Sequence, residues 1–474
     1  MIGGKFKNYF LIFIILIFLI SQTVLSAGSY NKENNENIFT ILALAIILIL
    51  ARISSLVERF GQPAVLGELL IGVILGNLGL LGFHFFNDFK QNSILLFLSE
   101  LGVIILLFQI GLESNIQKIT KVGIKAFLVA CVGVLAPFIL GTYIIGPRLF
   151  PGLSFNTYIF LGATLTATSV GITARVFQDL KKLHLPEAQI VLGAAVIDDV
   201  LGLIILAIVS SVVTFGTVNL GTIFYISFKA LAFLIGSIIL GIFISPYVGR
   251  FLSKIHTGLG MKFTMAISFC FVFAYLAQKF GLAPIVGAFA AGLVLDPVHF
   301  KYFKDPEIIE DIQREINKLD HKIRERFLSI IHNHSRQHVE DLIRPTALLL
   351  VPLFFVITGM NVKLETMFNL NVLFKALIIT AIAIIGKVAS GLVAGRVNKI
   401  LVGFGMVPRG EVGLIFATMG KELNVISDEL FSIIVTMVIL TTLLTPLILS
   451  FILKKQEEKK QFDLIDLKLI NEQK

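Results

Sequence analysis

Gly193-Ala194-Ala195-Val196-Ile197-Asp198-Asp199-Val200-Leu201-Gly202-Leu203-Ile204 sets two adjacent carboxylates inside an otherwise apolar run. The run continues past Val212 with no further charge, so it reads as a membrane-spanning helix. A carboxylate deep in a bilayer is costly; it faces a cavity or a partner and marks an ion or proton path. Neighbours on a helix point about 100° apart. Asp198 and Asp199 therefore cannot form one bidentate clamp, and each needs its own partner and role. The plainer alternative is that both pair structurally with basic residues.

The composition agrees with a membrane setting. The chain is 56% hydrophobic and only 15% charged, with a mean hydropathy of +0.90, as expected of an integral membrane protein made of many helices. Cys131 and Cys270 both lie in apolar runs and imply neither a disulfide framework nor a metal site. The net charge of +9 reads as basic cytoplasmic loops. No basic patch interleaved with aromatics points to nucleic acid, and Trp is absent, which leaves Tyr and Phe as interfacial anchors.

Residues 1–27 carry Lys5 and Lys7, an apolar run from Phe10 to Ile20, and Val24-Leu25-Ser26-Ala27. That is the layout of a signal peptide, or of an uncleaved first helix. Residues 28–37 read as a polar linker. Thirteen spans follow: 38–58, 64–83, 94–112, 123–147, 155–177, 187–214, 221–249, 262–280, 283–296, 344–360, 371–396, 401–423 and 426–453. Residues 454–474 form a tail. If residue 38 starts outside, the inner short loops hold thirteen Lys and Arg residues against six in the outer loops. This predicts an outer N-terminus after processing and a cytoplasmic C-terminus.

Three features interrupt the apolar pattern. Thr164-Leu165-Thr166-Ala167-Thr168-Ser169-Val170-Gly171 lies in the fifth span. Its small hydroxylated residues suit either a locally unwound backbone with carbonyls free for a cation, or close helix packing. Gly403-Phe404-Gly405-Met406-Val407-Pro408-Arg409-Gly410-Glu411 lies in the twelfth span and is hard to hold as continuous helix in lipid. Lys387, in the eleventh span, is a lone ammonium that needs a counter-ion, with Asp198 and Asp199 the candidates. Spans 2–6 and 9–13 form two sets of five with the interrupted helix fourth in each. An odd-length repeat inserts with opposite topology, and matched interruptions in inverted halves point to a midplane transport site.

With these residues in view, the chain resembles the monovalent cation:proton antiporters, on the branch of bacterial Na+/H+ exchangers with a paired aspartate. The resemblance runs over nearly all of 50–450. Gly61-Gln62-Pro63-Ala64-Val65-Leu66-Gly67-Glu68 is similar to the entry of the family's second helix, and Leu101-Gly102-Val103 through Gly111-Leu112-Glu113 to its third. Ala167-Thr168-Ser169-Val170-Gly171 and Asp198-Asp199 match the first crossing helix and the ion-binding helix. Gly287-Ala288-Phe289-Ala290-Ala291-Gly292, Phe354-Phe355, Lys387 and Pro408-Arg409-Gly410-Glu411-Val412 complete the ordered set.

The resemblance implies an all-α membrane protein of about 13 transmembrane helices, with inverted five-helix repeats and two crossed discontinuous helices. It implies a six-helix core moving against a dimerisation domain, and a homodimer in the plasma membrane (the bacterial inner membrane). Asp199 would bind Na+ or a proton, with Thr168 and Ser169 beside it, Asp198 would pair with Lys387, and Arg409 and Glu411 would be the charges of the second crossing helix. No cofactor or enzymatic chemistry is implied; Na+, Li+ and H+ are the substrates. Related potassium-efflux proteins tend to carry Gln or Asn before the aspartate and a nucleotide-binding domain after the membrane part. Here the first site residue is Asp198 and residues 454–474 follow the last span, which favours Na+ or Li+ over K+.

The departure is residues 297–343, an insert on the cytoplasmic side. Asp305-Pro306 resembles a helix cap with proline at the first position, and Ile309, Ile312, Ile316, Leu319, Ile323, Phe327 and Ile330 form one apolar stripe. Five of the chain's eight histidines are here: His299, His321, His332, His334 and His338. A helix resting on the cytoplasmic face, a pH sensor and a metal site are the three readings.

The expected mechanism is competition of Na+ and H+ for Asp199, with Asp198, Asp199 and Lys387 titrating as one coupled unit. Release of Lys387 from Asp198 would free a second proton and make exchange electrogenic. The rivals are a K+/H+ antiporter, a non-transporting membrane sensor that kept the fold, and a channel. Joint presence of Asp198, Asp199 and Lys387 argues against a sensor. Two opposed repeats with no continuous polar pore argue against a channel.

Overall fold

The computed structural model describes residues 32–60, 62–113, 116–215, 220–295, 303, 321–362, 364–365, 369–409 and 411–472. The leader expected over 1–27, and most of the first half of the insert, lie outside the described residues. Among the described residues there is no strand. The helices are α1 (Lys32–Ser54), α2 (Ala64–Asn77), α3 (Ser93–Glu113), α4 (Ile116–Ile139), α5 (Phe155–Thr164), α6 (Val170–Asp179), α7 (Pro186–Phe215), α8 (Leu220–Ile255), α9 (Leu259–Lys279), α10 (Pro284–Val294), α11 (His321–Met360), α12 (Leu370–Ala389), α13 (Lys399–Gly405), α14 (Glu411–Glu422) and α15 (Asp428–Glu472).

Nine helical stretches among the described residues are long and apolar enough to cross a membrane, since about 20 residues at 1.5 Å rise span a hydrocarbon core. The expected spans 155–177 and 401–423 are each two half-helices, α5–α6 and α13–α14. The ninth span, α10, is only 11 residues, opened by Pro284 at its first position. Residues 32–37, expected as linker, form the first turns of α1, and residues 321–343, expected as part of the insert, run without a break into the tenth span as α11. Within α4, Pro137 removes one backbone donor and the next turn widens into a π-helix over Leu140–Ile145.

Water is absent between helices in lipid, so close approach of small residues drives their packing. Two Gly–Gly crossings show this directly. A Cβ on Gly72 of α2 would lie 2.2 Å from the Val356 carbonyl oxygen of α11, and one on Gly359 would lie 2.3 Å from that of Leu69. A Cβ on Gly111 of α3 would lie 2.4 Å from the Phe289 carbonyl oxygen of α10, and one on Gly292 would lie 2.2 Å from that of Phe108. Under the inverted repeat, α2 corresponds to α10 and α3 to α11. The α2–α11 and α3–α10 crossings are therefore one contact seen twice. The same operation relates the α4–α7 pair to the α12–α15 pair, both packed in the structure.

The helices thus sort into two groups. One contains α2, α3, α10 and α11, with α1, α8 and α9 around it; the other contains α4, α7, α12 and α15 with both interrupted helices. The groups meet where α6 faces α2 and α3, where α15 faces α2, and where α7 lies against α8. Glycine tightness predicts that Gly72→Ala and Gly292→Ala each cost about 1–3 kcal/mol by overpacking, read as a lower melting temperature in detergent. Gly236→Ala, where a Cβ meets nothing within 4 Å, should not lower it.

Candidate functional site

The site is built on the two interruptions. Ser154 caps α5, accepting from the Thr157 amide at 3.2 Å, and α5 stops ten residues later. Thr164 and Thr166 turn their hydroxyls back onto the Leu161 and Ala163 carbonyls at 2.7 and 2.8 Å. Such local bonds compete with the helical ladder, and the backbone is extended at Ser169 before α6 begins. In the other repeat, Asn398 caps α13 through the Leu401 amide, and Pro408, which has no N–H, lies in the non-helical stretch after it.

The two interruptions lie against each other and satisfy one another. The Ser169 amide donates to the Pro408 carbonyl at 2.7 Å. The Thr168 hydroxyl donates to the Met406 carbonyl at 3.1 Å, and the Thr173 hydroxyl to that of Gly405 at 2.7 Å. Arg409 is fully buried. Its guanidinium donates to the Leu165 carbonyl at 2.6 Å, at the C-terminal end of α5, and to those of Ala383 and Val407. Carbonyls at a helix C-terminus carry partial negative charge, so a buried cation there has its compensation in the backbone. Thr442 of α15 donates its hydroxyl to the Arg409 carbonyl.

Beside the crossing, Lys387 Nζ donates to Asp198 Oδ1 at 2.9 Å, with both side chains buried. Gly133 of α4 makes room for it: a Cβ there would stand 3.7 Å from the Lys387 ammonium. The partner of Lys387 is thus Asp198, as the resemblance implied. The two aspartates point apart, as their helical spacing requires. Asp199 lines a small recess with Thr168, Ser169, Val170 and Gly171, closed by Val103, Ile285 and Phe354 of the other helix group. Its volume of about 10 Å³ is the room of one water-sized particle. Asp199 and Ser169 also line a cavity of about 670 Å³ between the two helix groups. Two acids and two bases, Asp198, Asp199, Lys387 and Arg409, make the cluster neutral when all are ionised. Glu411 opens α14 directly after the interruption.

The cavity is walled by the C-terminal parts of α2 and α11, and Asn361, Gln278 and Gly281 mark its rim. The opposite face is closed by a second set of charges. Arg175 of α6 pairs with Asp179 at 2.9 Å and with Glu68 of α2 at 3.7 Å. The Asp179 carboxylate accepts from the Val65 amide at 3.2 Å. This tie joins the half-helix bearing Ser169 to the other helix group. The sequence reading quoted Glu68 as part of a motif but gave it no role, and did not single out Arg175, Asp179, Thr173 or Thr442. Glu68 and Arg175 carried the one available signal, a charge within an apolar span.

The chain matches the family model described as sodium/hydrogen exchanger, transmembrane, over residues 43–455. It is 37% identical over 364 residues to the high-affinity Na+/H+ antiporter NhaS3 of Synechocystis, covering 75% of this chain and 71% of that one. It is 32% identical to the Na+/H+-K+ antiporter GerN of Bacillus cereus, over 86% of this chain and 95% of that one. Among solved structures, that of the sodium proton antiporter MjNhaP1 from Methanocaldococcus jannaschii at pH 8 superposes with a TM-score of 0.57 at 15% identity, over 88% of this chain and 97% of that one. That likeness bears on the fold: an all-helical, multi-pass membrane protein. On the family match over most of its length, the chain belongs to the sodium/hydrogen exchanger family.

Proposed function

We propose that this protein exchanges Na+, or Li+, for protons across a bacterial inner membrane, as a homodimer serving pH and sodium homeostasis. The observation that carries the reading is the division of labour between adjacent aspartates: Asp198 is held by Lys387, while Asp199 reaches the cavity. The names of the relatives support Na+ and H+ as the pair, and GerN's name makes K+ the control ion.

Protonated Asp199 offers no charge to a cation; ionised, it offers a hard oxygen, joined by the Thr168 and Ser169 hydroxyls. Bound Na+ excludes the proton and the proton excludes Na+. With Na+ bound and the Lys387 proton released, the two aspartates balance Na+ and Arg409, so the sodium-loaded core moves past the other helix group without an uncompensated charge. Sodium binding that loosens Lys387 from Asp198 frees a second proton and makes exchange electrogenic. The charge count over loops supports an outer N-terminus, so the cavity faces outward and the Glu68–Arg175–Asp179 tie closes the cytoplasmic side. Residues 1–27 fit a leader, 454–474 a cytoplasmic tail, and the histidines of 297–343 a cytoplasmic element.

Three outcomes test this. In liposomes, Asp199→Asn should abolish Na+-driven proton release, because an amide has no exchangeable charge; normal exchange by this variant removes Asp199 from the site. For the parent, competition predicts that the apparent KM for Na+ rises as pH falls, approaching about tenfold per pH unit for each proton that Na+ displaces, and a pH-independent KM contradicts it. Lys387→Ala should lower thermal stability by about 3–5 kcal/mol by stranding a buried carboxylate and reduce the charge moved per Na+; Asp198→Ala added to it should recover part of the stability.

The tie gives a fourth. In a background with Cys131 and Cys270 replaced by Ala, Thr358→Cys in the cavity wall should react with a membrane-impermeant thiol reagent. Glu68→Gln should slow that reaction by favouring the state with the cavity closed. An unchanged rate identifies the tie as static scaffolding.

A further inference from the structure

The cavity wall contributed by α3 is one helical stripe: Leu96, Ser99, Glu100, Val103 and Ile104, at i, i+3, i+4, i+7 and i+8. Neighbours off the stripe, Ile94 and Phe97, are exposed large apolar residues, as expected of a lipid-facing side. Glu100 is one of the residues that line the cavity, and it is exposed. It stands seven residues into α3, about 10 Å along the axis, at a depth where a carboxylate without function is costly. Of the described residues lining the cavity, Glu100 and Asp199 carry the charges, both negative. No ion pair to Glu100 occurs among the described residues. One turn further along α3, Val103 lines both the cavity and the recess that holds Asp199.

We propose that Glu100 is a cation-collecting residue: its carboxylate draws a hydrated monovalent cation into the cavity and delivers it to Asp199 one turn deeper. The inference rests on the reading of Asp199 as the ion site. A negative charge in a cleft with low-dielectric walls focuses field lines and raises the local concentration of cations. The walls are mostly apolar (Leu69, Val73, Ile357 and Ile439 among them), which leaves Glu100 as the charge that acts before Asp199 does. Ser99, Gln278 and Asn361 supply neutral oxygens along the way, enough to solvate a partly stripped ion but not to select its sign. Glu100 acts on delivery and not on the exchange at Asp199, so its removal changes the concentration at which the site fills and not the maximal rate.

The test is Glu100→Gln in the full chain in liposomes, with Na+ presented to each face in turn. The expected result is a KM for Na+ raised about two- to fivefold from one face only, with kcat and the melting temperature held. The difference should shrink as ionic strength is raised with an impermeant organic salt, since screening shortens the reach of the charge. Glu100→Asp should keep the parent's KM. An unchanged KM at low ionic strength, or a fall in kcat with KM held, overturns the proposal. Asp199→Asn is measured alongside. If it is silent while Glu100→Gln keeps the parent's KM, the role of Glu100 fails and the ion site stands. If Asp199→Asn exchanges normally, the site itself is misassigned and the role of Glu100 falls with it.

Discussion

Everything in this protein depends on two interrupted helices satisfying one another inside a membrane. A helix that stops in hydrocarbon leaves donors and acceptors with no water to meet them, at several kcal/mol each. Here each interruption supplies what the other lacks. An amide of the first reaches a carbonyl of the second, hydroxyls from Thr168 and Thr173 reach two more, and Arg409 of the second reaches the carbonyl end of α5 in the first. Neither could exist alone. The crossing also delivers polar backbone and hydroxyl oxygens to the middle of the protein, where a continuous helix would have delivered none.

Charge follows from that geometry. A buried arginine is tolerable because the helix ends it touches are themselves polar. A buried lysine is tolerable because Asp198 is 2.9 Å away and Gly133 leaves space for it. Replacing such a pair with apolar residues often costs a protein nothing, so its retention here is better understood through exchange than through stability. Asp198 is held by Lys387 while Asp199 lines the cavity between the helix groups, and the exchange proposed above rests on that difference.

The two-group architecture then decides access. Gly–Gly crossings knit α2 to α11 and α3 to α10, each too tight for a Cβ, and make that group a firm frame. The contacts between the groups are looser: a cavity on one side and the Glu68–Arg175–Asp179 tie on the other. Ion pairs and hydrogen bonds of this kind can be exchanged for others without unpacking a core, whereas the glycine crossings cannot. The movement proposed for exchange would therefore break the former and spare the latter.

Sequence alone determined the elements and singled out much of the candidate site. Apolar runs of bilayer length located the spans, because hydropathy in lipid is nearly a direct reading of structure. Thr164–Gly171 and Gly403–Glu411 announced the interruptions, since hydroxyls, glycines and a proline defeat a helical ladder locally. Asp198, Asp199 and Lys387 stood out because charge in an apolar run is expensive. What the sequence left open was partnership. Which aspartate meets the lysine depends on the rotation of α7 against α12, a tertiary quantity, and the resemblance, not the spacing, supplied the expectation. That Arg409 spends its guanidinium on carbonyls, that Arg175 and Glu68 bridge two helix groups, and that residues 321–343 continue into the tenth span were decided only by packing, which joins residues hundreds of positions apart.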